Sequence, residues 1–407
     1  MKNRLAQDHV VVARSENPES IYCYSPGLIV LPSGRYIATM DFSGPGAKKY
    51  PTAVKFRKYR DFWYTGHIYT SDDRGETWQQ RQALPMLLMR PFLAGGVLYA
   101  IGVSPDLGIA KSLDEGETWS EVTHFSQDQV WHQAPSNVWY KDDYIYLVME
   151  HETDFKNDWP MYGIAPVLMR GKVTDDLTKK ENWTFASELP YYKHVKEEDI
   201  KELGMPFLPG QDAMGWLETN VVQLLNERDY FYDPTGRTFH LFLRTHTAGH
   251  SWPGAVLKVE EKEDGTMETS FVYAPSGKRM VYIPIPGGGE SKFHILYDEK
   301  TKTYWLLTNQ FVDSYVDRSR ITKNDQKGYG RSRLVLYYSV NCFDWLYAGM
   351  VAAGETPLES RSYASMAFDG EDLLVLSRSG DAQILNGHDN NLITFHRVKN
   401  FRDLIDL

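Results

Sequence analysis

The chain has 407 residues, and its formal net charge at pH 7 is −10. Hydrophobic residues make up 42% of it, which is enough for a core and argues against a disordered protein. The acidic balance disfavours nucleic acid or an anionic membrane surface as a partner, and no apolar run approaches the roughly 20 residues of a membrane span. Residues 1–17 lack the apolar centre of a signal peptide, so we expect a soluble protein, either cytoplasmic or exported with its signal absent from this chain.

The elements predicted along the chain are short β-strands, because aromatic residues supply 14% of the sequence and favour sheets over helical bundles. An apolar strand, a polar turn and a second apolar strand recur six times, about 68 residues apart. The copies occupy residues 25–40, 90–103, 135–149, 219–243, 293–308 and 363–376. This spacing is typical of a β-propeller blade with long loops.

The last repeat supplies three strands, the third at 392–398, before the chain ends. The apolar run 9–14 precedes the first repeat and can supply the missing strand, which would close the ring and cover exposed strand edges. Stretches 190–215 and 312–330 interrupt the pattern without the four strands of a further blade. The sequence therefore predicts an all-β, six-bladed β-propeller that forms a single domain over residues 1–407, with seven blades as the alternative.

Two octapeptides, at 71–78 and 112–119, share the pattern Ser-x-Asp-x-Gly-x-Thr-Trp. In such a turn the Ser and Asp side chains bond nearby backbone amides, Gly takes a conformation that other residues avoid, and Trp packs back over the turn. Weaker copies end in Trp345 and Trp183. We predict that these turns serve the structure and not the chemistry.

The turns and the repeat resemble those of the sialidase-like family of six-bladed propellers, also called the Asp-box or BNR-repeat family, over most of the chain. The resemblance implies a site at one mouth of the central channel. Glu218, in Trp-Leu-Glu-Thr-Asn-Val-Val, and Tyr363, in Arg-Ser-Tyr-Ala-Ser-Met, match the segments that carry the family's buried glutamate and tyrosine nucleophile. Arg244 and Arg333, or Arg331 in place of Arg333, match two arginines of its carboxylate-binding triad.

The first repeat departs from the family pattern, because Tyr24 stands where sialidases have the arginine of an Arg-Ile-Pro motif. A phenol lacks the charge and the paired hydrogen bonds with which a guanidinium binds a carboxylate. The acid–base aspartate of the family matches Asp41 or Asp61 by position. The resemblance thus implies a divergent member of the family.

Further candidates follow from side-chain chemistry. A phenol such as that of Tyr363 becomes a nucleophile when a carboxylate such as that of Glu218 accepts its proton. Arg361 and Arg378 lie at predicted strand ends, where cations around a channel would hold an anionic sugar. Trp252 follows a strand in a loop and can stack on a sugar face.

Two histidines, His132 and His151, bracket the first hairpin of the third repeat, and adjacent strands would bring them close. Histidine transfers protons near neutral pH. The placement is similar to that in propeller-type lyases that use histidines on uronic-acid polymers. An ordinary hydrogen-bonded structural role is the alternative for both.

No cofactor and no metal site are predicted. His246 and His250 lie four residues apart in a glycine-containing loop and not on a helix, which is a weak signal for a metal. Cys23 and Cys342 have no neighbour at metal-ligand spacing, so we expect two buried thiols. The polar loop near the C-terminus contains Asp381, His388 and Asp389; we interpret it as a solvated turn, with a loop that faces the channel as the alternative.

The functional hypothesis is a carbohydrate-active enzyme, a sialidase-like retaining glycoside hydrolase that acts on an acidic or highly hydroxylated glycan. Tyr363 would be the nucleophile, Glu218 its activator, and His132 or Asp41 the proton donor. The first alternative is a polysaccharide lyase, in which histidines and Tyr363 remove a proton beside a uronate carboxyl group that Arg244 neutralises. The second alternative is a glycan-binding propeller without activity.

Overall fold

Six antiparallel β-sheets surround a central channel in the computed structural model, which describes residues 4–56, 61–154, 160–201, 215–247, 251–314, 320 and 330–407. Each sheet is one blade of a β-propeller. The predicted all-β, six-bladed architecture is therefore confirmed.

The strands are numbered in chain order, beginning with β1 (Val10–Arg14). Blade 1 contains β2 (Tyr22–Val30), β3 (Tyr36–Gly44), β4 (Val54–Lys55), β5 (Trp63–Ser71) and β6 (Gln79–Leu84). Blade 2 contains β7 (Leu87–Ala94), β8 (Val97–Ser104), β9 (Asp106–Ser112) and β10 (Thr123–His124). Blade 3 contains β11 (Trp131–His132), β12 (Trp139–Lys141), β13 (Tyr144–Glu152), β14 (Ile164–Lys172) and β15 (Trp183–Phe185).

The second half of the ring repeats this arrangement. Blade 4 contains β16 (Gly215–Val222), β17 (Thr238–His246), β18 (Pro253–Glu261), β19 (Met267–Tyr273), β20 (Arg279–Met280) and β21 (Tyr282–Pro284). Blade 5 contains β22 (His294–Asp298), β23 (Thr303–Asn309), β24 (Arg333–Ser339) and β25 (Leu346–Ala353). Blade 6 contains β26 (Arg361–Asp369), β27 (Asp372–Ser379) and β28 (Leu392–Val398).

Short helices lie in loops between the strands. The α-helices are α1 (Tyr191–His194) and α2 (Glu197–Lys201), and the 3₁₀ turns are Pro45–Lys49, Pro160–Gly163, Lys180–Asn182 and Phe401–Leu404. Across the described ranges, no helix has the length and apolar character needed to cross a membrane.

The ring is closed by the N-terminal strand. β1 pairs antiparallel with β28, with Val10 opposite Phe395 and Arg14 opposite Leu392, so blade 6 has the strand order β1-β28-β27-β26. The predicted closure is thus confirmed. Because its outer strand comes from the other end of the chain, blade 6 joins the two termini of the ring.

The apolar core lies between neighbouring blades. The Tyr146 ring of blade 3 packs on Phe239 of blade 4 with centroids 4.2 Å apart, and Leu374 of blade 6 belongs to the same buried cluster as Ala38 of blade 1. Large aromatic side chains fill the wedge between twisted sheets, which explains the aromatic-rich composition. Cys23, between blades 6 and 1, is a buried free thiol like Cys342, as predicted.

The two Ser-x-Asp-x-Gly-x-Thr-Trp turns form the same hydrogen-bond network. In the first, Ser71 Oγ accepts from Gly75 N at 2.8 Å, Asp73 Oδ1 accepts from Thr77 N at 2.9 Å, and Trp78 Nε1 donates to the Gly75 carbonyl at 3.1 Å. The second turn repeats these bonds at 2.8, 2.9 and 3.3 Å with Ser112, Asp114, Gly116, Thr118 and Trp119.

Strand direction places these turns away from the candidate site. Each turn follows the third long strand of its blade, β5 or β9, and consecutive strands are antiparallel. The start of the first strand and the end of the second therefore lie at one face of the ring, and the end of the third strand lies at the opposite face. The candidate site residues below come from the first of these faces.

Candidate active site

Bulges at the start of the innermost strands shape the mouth of the channel. Ser25, Leu88, Glu218 and Tyr363 have positive φ angles of 47°, 59°, 58° and 50°, each beside a register shift in its strand pair. Non-glycine residues avoid this region, and such outliers cluster at functional sites. All four residues line one cavity of about 320 Å³.

The cavity has an apolar side and a charged side. Its apolar lining comes mainly from blades 1 to 4 and includes Phe56, Phe62, Leu87, Leu88, Val130, Trp131, Met161, Ile164 and Leu217. Its polar lining includes Tyr24, His132, Glu152, Glu218, Arg244, His246, Glu290, Arg331, Tyr363, Arg378 and His388. Such a cavity suits a ligand with an anionic group at one end and an apolar face at the other.

Arg244 joins the predicted nucleophile to its predicted activator. Its Nη1 donates to Glu218 Oε2 at 2.9 Å and to the Tyr363 hydroxyl oxygen at 2.7 Å. The Tyr363 hydroxyl also contributes to lowering the pKa of the Glu218 carboxylate. Burial alone would raise the pKa of Glu218, but the charges of Arg244 and His132 outweigh it and lower that pKa. Glu218 is therefore ionised and positioned to accept the phenol proton.

Two more arginines surround the Tyr363 ring. The guanidinium carbon of Arg378 lies 3.7 Å from the ring centre, and that of Arg331 lies 5.3 Å from it. Nε and Nη2 of Arg378 are buried and have no hydrogen-bond partner among the described residues, and burial lowers the pKa of Arg378 to about 10. Arg333, the first choice for the second triad position, lies outside the cavity lining, and its Nη1 is 3.3 Å from Ser332 Oγ.

Tyr24 holds Arg378 from the other side. The Arg378 guanidinium carbon lies 5.0 Å from the centre of the Tyr24 ring, and the Tyr24 hydroxyl donates to Asp389. His388 Nδ1 also contacts Asp389 Oδ1, at 2.7 Å. The C-terminal loop that we interpreted as a solvated turn therefore contributes His388 to the cavity and anchors Tyr24.

His132 faces the cavity from blade 3 and is paired with a buried carboxylate. Its Nδ1 lies 2.7 Å from Glu150 Oε2, and Glu150 Oε1 accepts from the amide and the hydroxyl of Thr219 at 3.0 and 2.8 Å. Burial lowers the pKa of His132, but the hydrogen bond and charge of Glu150 outweigh it, so the net shift is upward. Because Nδ1 is committed to Glu150, contact with a ligand falls to Nε2.

His151, the second predicted histidine, lies on the other face of the same sheet. β11 pairs with β13 so that His132 is opposite Glu150 and Trp131 is opposite His151. Successive side chains of a strand point to opposite faces, so strand adjacency does not bring the two imidazoles together. His151 stacks on Trp131 with centroids 4.8 Å apart and contacts Glu188 Oε1 through Nδ1 at 2.7 Å.

The predicted acid Asp41 is fully buried behind the cavity wall. Its carboxylate oxygens accept from the Leu88 amide at 3.0 and 3.1 Å, and the Ser25 hydroxyl also bonds to it. Burial raises the pKa of Asp41 well above its ordinary value. Asp41 thus binds two of the bulge residues, Leu88 and Ser25, and its side chain has no exposed surface that a substrate could contact. The other positional candidate, Asp61, is exposed and has a positive φ of 56°.

Arg361 and Trp252 also lie apart from the cavity. Arg361 Nη1 donates to the carbonyls of Ser360 and Gly380 at 2.7 and 2.8 Å, which is a backbone-supporting role. Trp252 lines a different cavity, beside Arg279.

Within the described ranges, no group of three or more His, Cys, Asp or Glu side chains has a metal-binding arrangement. His246 lines the cavity, and its Nε2 lies 3.9 Å from Glu290 Oε2. His250, its predicted neighbour, falls outside the described residues.

Sequence reasoning missed Glu150 and named Arg378 only as one of several cations that would hold an anionic sugar. Glu150 lies near the end of β13, where the sequence carries no sign that its side chain meets His132. Arg378 did have a signal: it lies opposite Ser362, one residue before Tyr363, just as Arg244 lies opposite Leu217, one residue before Glu218. Aligning the fourth and sixth repeats in this register would have placed Arg378 beside Tyr363, as Arg244 is placed beside Glu218.

Comparison with known proteins supports the architecture. No family model matches the sequence, and no curated protein matches it. Among solved structures, an α-L-arabinanase of Penicillium chrysogenum is 12% identical, with a TM-score of 0.52 over 98% of this chain and 99% of the other. A Hadza microbial sialidase is 14% identical, with a TM-score of 0.54 over 96% and 68%. The intramolecular trans-sialidase from Ruminococcus gnavus is 12% identical, with a TM-score of 0.53 over 97% and 98%. At these identities the likeness establishes the six-bladed fold.

Proposed function

We propose that this protein is a retaining glycoside hydrolase of sialidase-like ancestry that cleaves a sugar bearing an anionic group. The observation that carries the proposal is the contact of Arg244 Nη1 with both Glu218 Oε2 and the Tyr363 hydroxyl. A partly buried phenol beside an ionised carboxylate that can accept its proton is an activated nucleophile. The solved sialidases and arabinanase that share the fold add support, since their names describe enzymes that act on glycans.

In the first half of the reaction, Glu218 accepts the Tyr363 proton while the phenol oxygen attacks the anomeric carbon. The bond to the leaving oxygen breaks, and His132 donates the proton that this oxygen needs. The raised pKa of His132 keeps it protonated nearer to neutral pH than an ordinary histidine. The product of this half is a glycosyl–tyrosine intermediate and a free alcohol.

In the second half, water attacks the same anomeric carbon. Neutral His132 takes a proton from the water, and Glu218 returns its proton to the departing phenol oxygen. Each group is then in its starting state, and the anomeric configuration is retained because two inversions have occurred.

Arg331 and Arg378 are proposed to bind the anionic group of the sugar. The buried and unpartnered nitrogens of Arg378 are available for the paired hydrogen bonds that a carboxylate accepts. The Arg378 guanidinium then packs against the Tyr24 ring. Blade 6 therefore supplies a substrate-binding cation, although the first repeat has Tyr24 in place of the arginine of the family pattern.

A lyase acting on a uronate is the second candidate, because His132, Tyr363 and Arg244 line one cavity. The raised pKa of His132 disfavours it, since proton abstraction needs a neutral histidine. His151 does not belong to that cavity.

Product analysis distinguishes these candidates. Cleavage of sialoside, glucuronide and arabinoside substrates in ¹⁸O-water is expected to place one solvent oxygen in the released sugar. A product without solvent oxygen but with the ultraviolet absorbance of an unsaturated uronate would establish the lyase. Binding of the same glycans without any product would establish the non-catalytic alternative.

A further inference from the structure

Arg90 is a buried cation without a partner at the propeller axis. It lies in β7 and is 1% exposed, and its Nε, Nη1 and Nη2 have no hydrogen-bond partner among the described residues. Burying an unpaired guanidinium is costly, because the protein must replace both the water and the counter-charge that the group has in solution. A group outside the polypeptide is therefore needed to complete this site.

The register of the innermost strands directs Arg90 toward the channel. Arg90 lies two residues after Leu88, the positive-φ residue of its strand, as Ser365 lies two residues after Tyr363. Ser365 Oγ donates to the Pro26 carbonyl of blade 1 at 2.7 Å and lies 3.3 Å from the Pro135 carbonyl of blade 3. Ser365 thus reaches across the axis just below the cavity, and Arg90 occupies the equivalent register position of blade 2.

Blade 5 contributes two further nitrogen groups to this region. Lys292 is 2% exposed, and its Nζ uses one proton on the Ala364 carbonyl of blade 6, at 2.7 Å. His294 Nδ1 accepts from the Met366 amide at 2.7 Å, and its buried Nε2 has no partner among the described residues. Lys292 and His294 thus contact the residues on either side of Ser365, and, after burial, the charges of Lys292 and Arg90 lower the pKa of His294.

The carboxylates of the channel do not neutralise Arg90 by contact. Glu150 is the acid whose charge acts on it, but both Glu150 oxygens are occupied, one by His132 and the other by Thr219. Glu218 Oε2 accepts from Arg244 Nη1. Among the described residues, no carboxylate is therefore hydrogen-bonded to Arg90.

We propose that the channel beneath the cavity binds one small inorganic anion, a halide such as chloride, through Arg90 and Lys292. The ligand is small because the channel is narrow here: Ser365 Oγ of blade 6 lies 2.7 Å from the Pro26 carbonyl of blade 1 and 3.3 Å from the Pro135 carbonyl of blade 3. It is an anion because the unsatisfied N–H donors include all three nitrogens of the Arg90 guanidinium, which is a cation. The site is separate from the proposed glycan site and does not depend on it.

Bromide provides a direct crystallographic test. Crystals grown or soaked in sodium bromide and measured at the bromine absorption edge should show an anomalous peak within hydrogen-bond distance of the Arg90 guanidinium. A structure with only water at this place, or with no anomalous peak there, would overturn the proposal.

Thermal unfolding at constant ionic strength gives an independent solution test. A ligand that binds only the folded state raises Tm with its concentration. Replacing sodium methanesulfonate by sodium chloride or bromide should raise the Tm of the wild-type protein in a saturable manner, while Arg90→Met should lose that response. Arg228→Met, an exposed control, should keep it. If Arg90→Met fails to fold, the wild-type titration decides: a Tm that does not respond to halide would contradict the site.

Discussion

Arg378 holds the same register position in blade 6 that Arg244 holds in blade 4. Each lies near the end of the second strand of its blade, opposite the residue that precedes a positive-φ residue, which is Tyr363 for Arg378 and Glu218 for Arg244. Two copies of one repeat thus bring the proposed nucleophile and its proposed activator to the same cavity, each beside a guanidinium. The symmetry of the propeller accounts for much of the site's charge arrangement.

The choice between Arg331 and Arg333 can be tested by conservative replacement. Arg331→Lys should raise KM about tenfold or more, because loss of charge-assisted hydrogen bonds costs roughly 1.5–3 kcal/mol. Arg333→Lys should change KM little, since Arg333 lies outside the cavity lining. Steady-state kinetics on an anionic substrate measures both. Equal effects of the two replacements would contradict the assignment.

The Glu150–His132 contact predicts a specific pH dependence. Since Glu150 raises the pKa of His132, the protonated acid is lost only as the pH rises through that raised pKa. Glu150→Gln should therefore move the alkaline limb of kcat/KM to lower pH. Glu188→Gln, which changes the partner of His151, serves as the control and should leave the profile unchanged. An unmoved limb in Glu150→Gln would argue against His132 as the proton donor.

Ring closure predicts that the N-terminus matters for the stability of the whole ring. Deleting residues 1–14 removes β1 and with it the buried side chains of Val12 and Ala13, so blade 6 is left with an open edge. We expect Tm to fall by roughly 5 °C or more in a single transition, as measured by calorimetry. Val11→Ser, at a position 40% exposed, is the mild control. An unchanged Tm for the deletion would disprove the closure role.

The octapeptide turns are predicted to affect stability without affecting catalysis. Trp119 is 8% exposed and packs in the core between blades 1 and 2, so Trp119→Ala should cost roughly 3–5 kcal/mol in chemical denaturation. Turnover per folded molecule should be unchanged, because the turn lies at the opposite face from the cavity. Leu113→Ala, at a position 78% exposed, should change neither quantity. Loss of turnover at full stability would contradict this assignment.

The repeat spacing and the apolar patterns were sufficient to predict the ring and its closing strand, because blade architecture depends on local alternation. The same patterns were not sufficient to predict the candidate site. Tyr363, Glu218 and Arg244 were found through motif likeness, whereas Glu150 reaches His132 only through strand register. A one-residue difference in register also separates His151 from His132, and burial separates Asp41 from the cavity. These contacts depend on which strands pair, in which register, and on what packs against them, and the local sequence does not show this.

In the proposed mechanism, the Tyr363 oxygen forms a covalent bond to the sugar. Fluorinated sialosyl and glucuronosyl fluorides trap glycosyl–enzyme intermediates because the fluorine slows hydrolysis, and the mass of each peptide then identifies the labelled residue. We predict one label, on the peptide that contains Tyr363, and none in Tyr363→Phe. The control Tyr273→Phe, at an exposed tyrosine, should be labelled like the wild type. A label on another residue would contradict the role of Tyr363 as the nucleophile. Turnover by Tyr363→Phe without any covalent intermediate would contradict it as well.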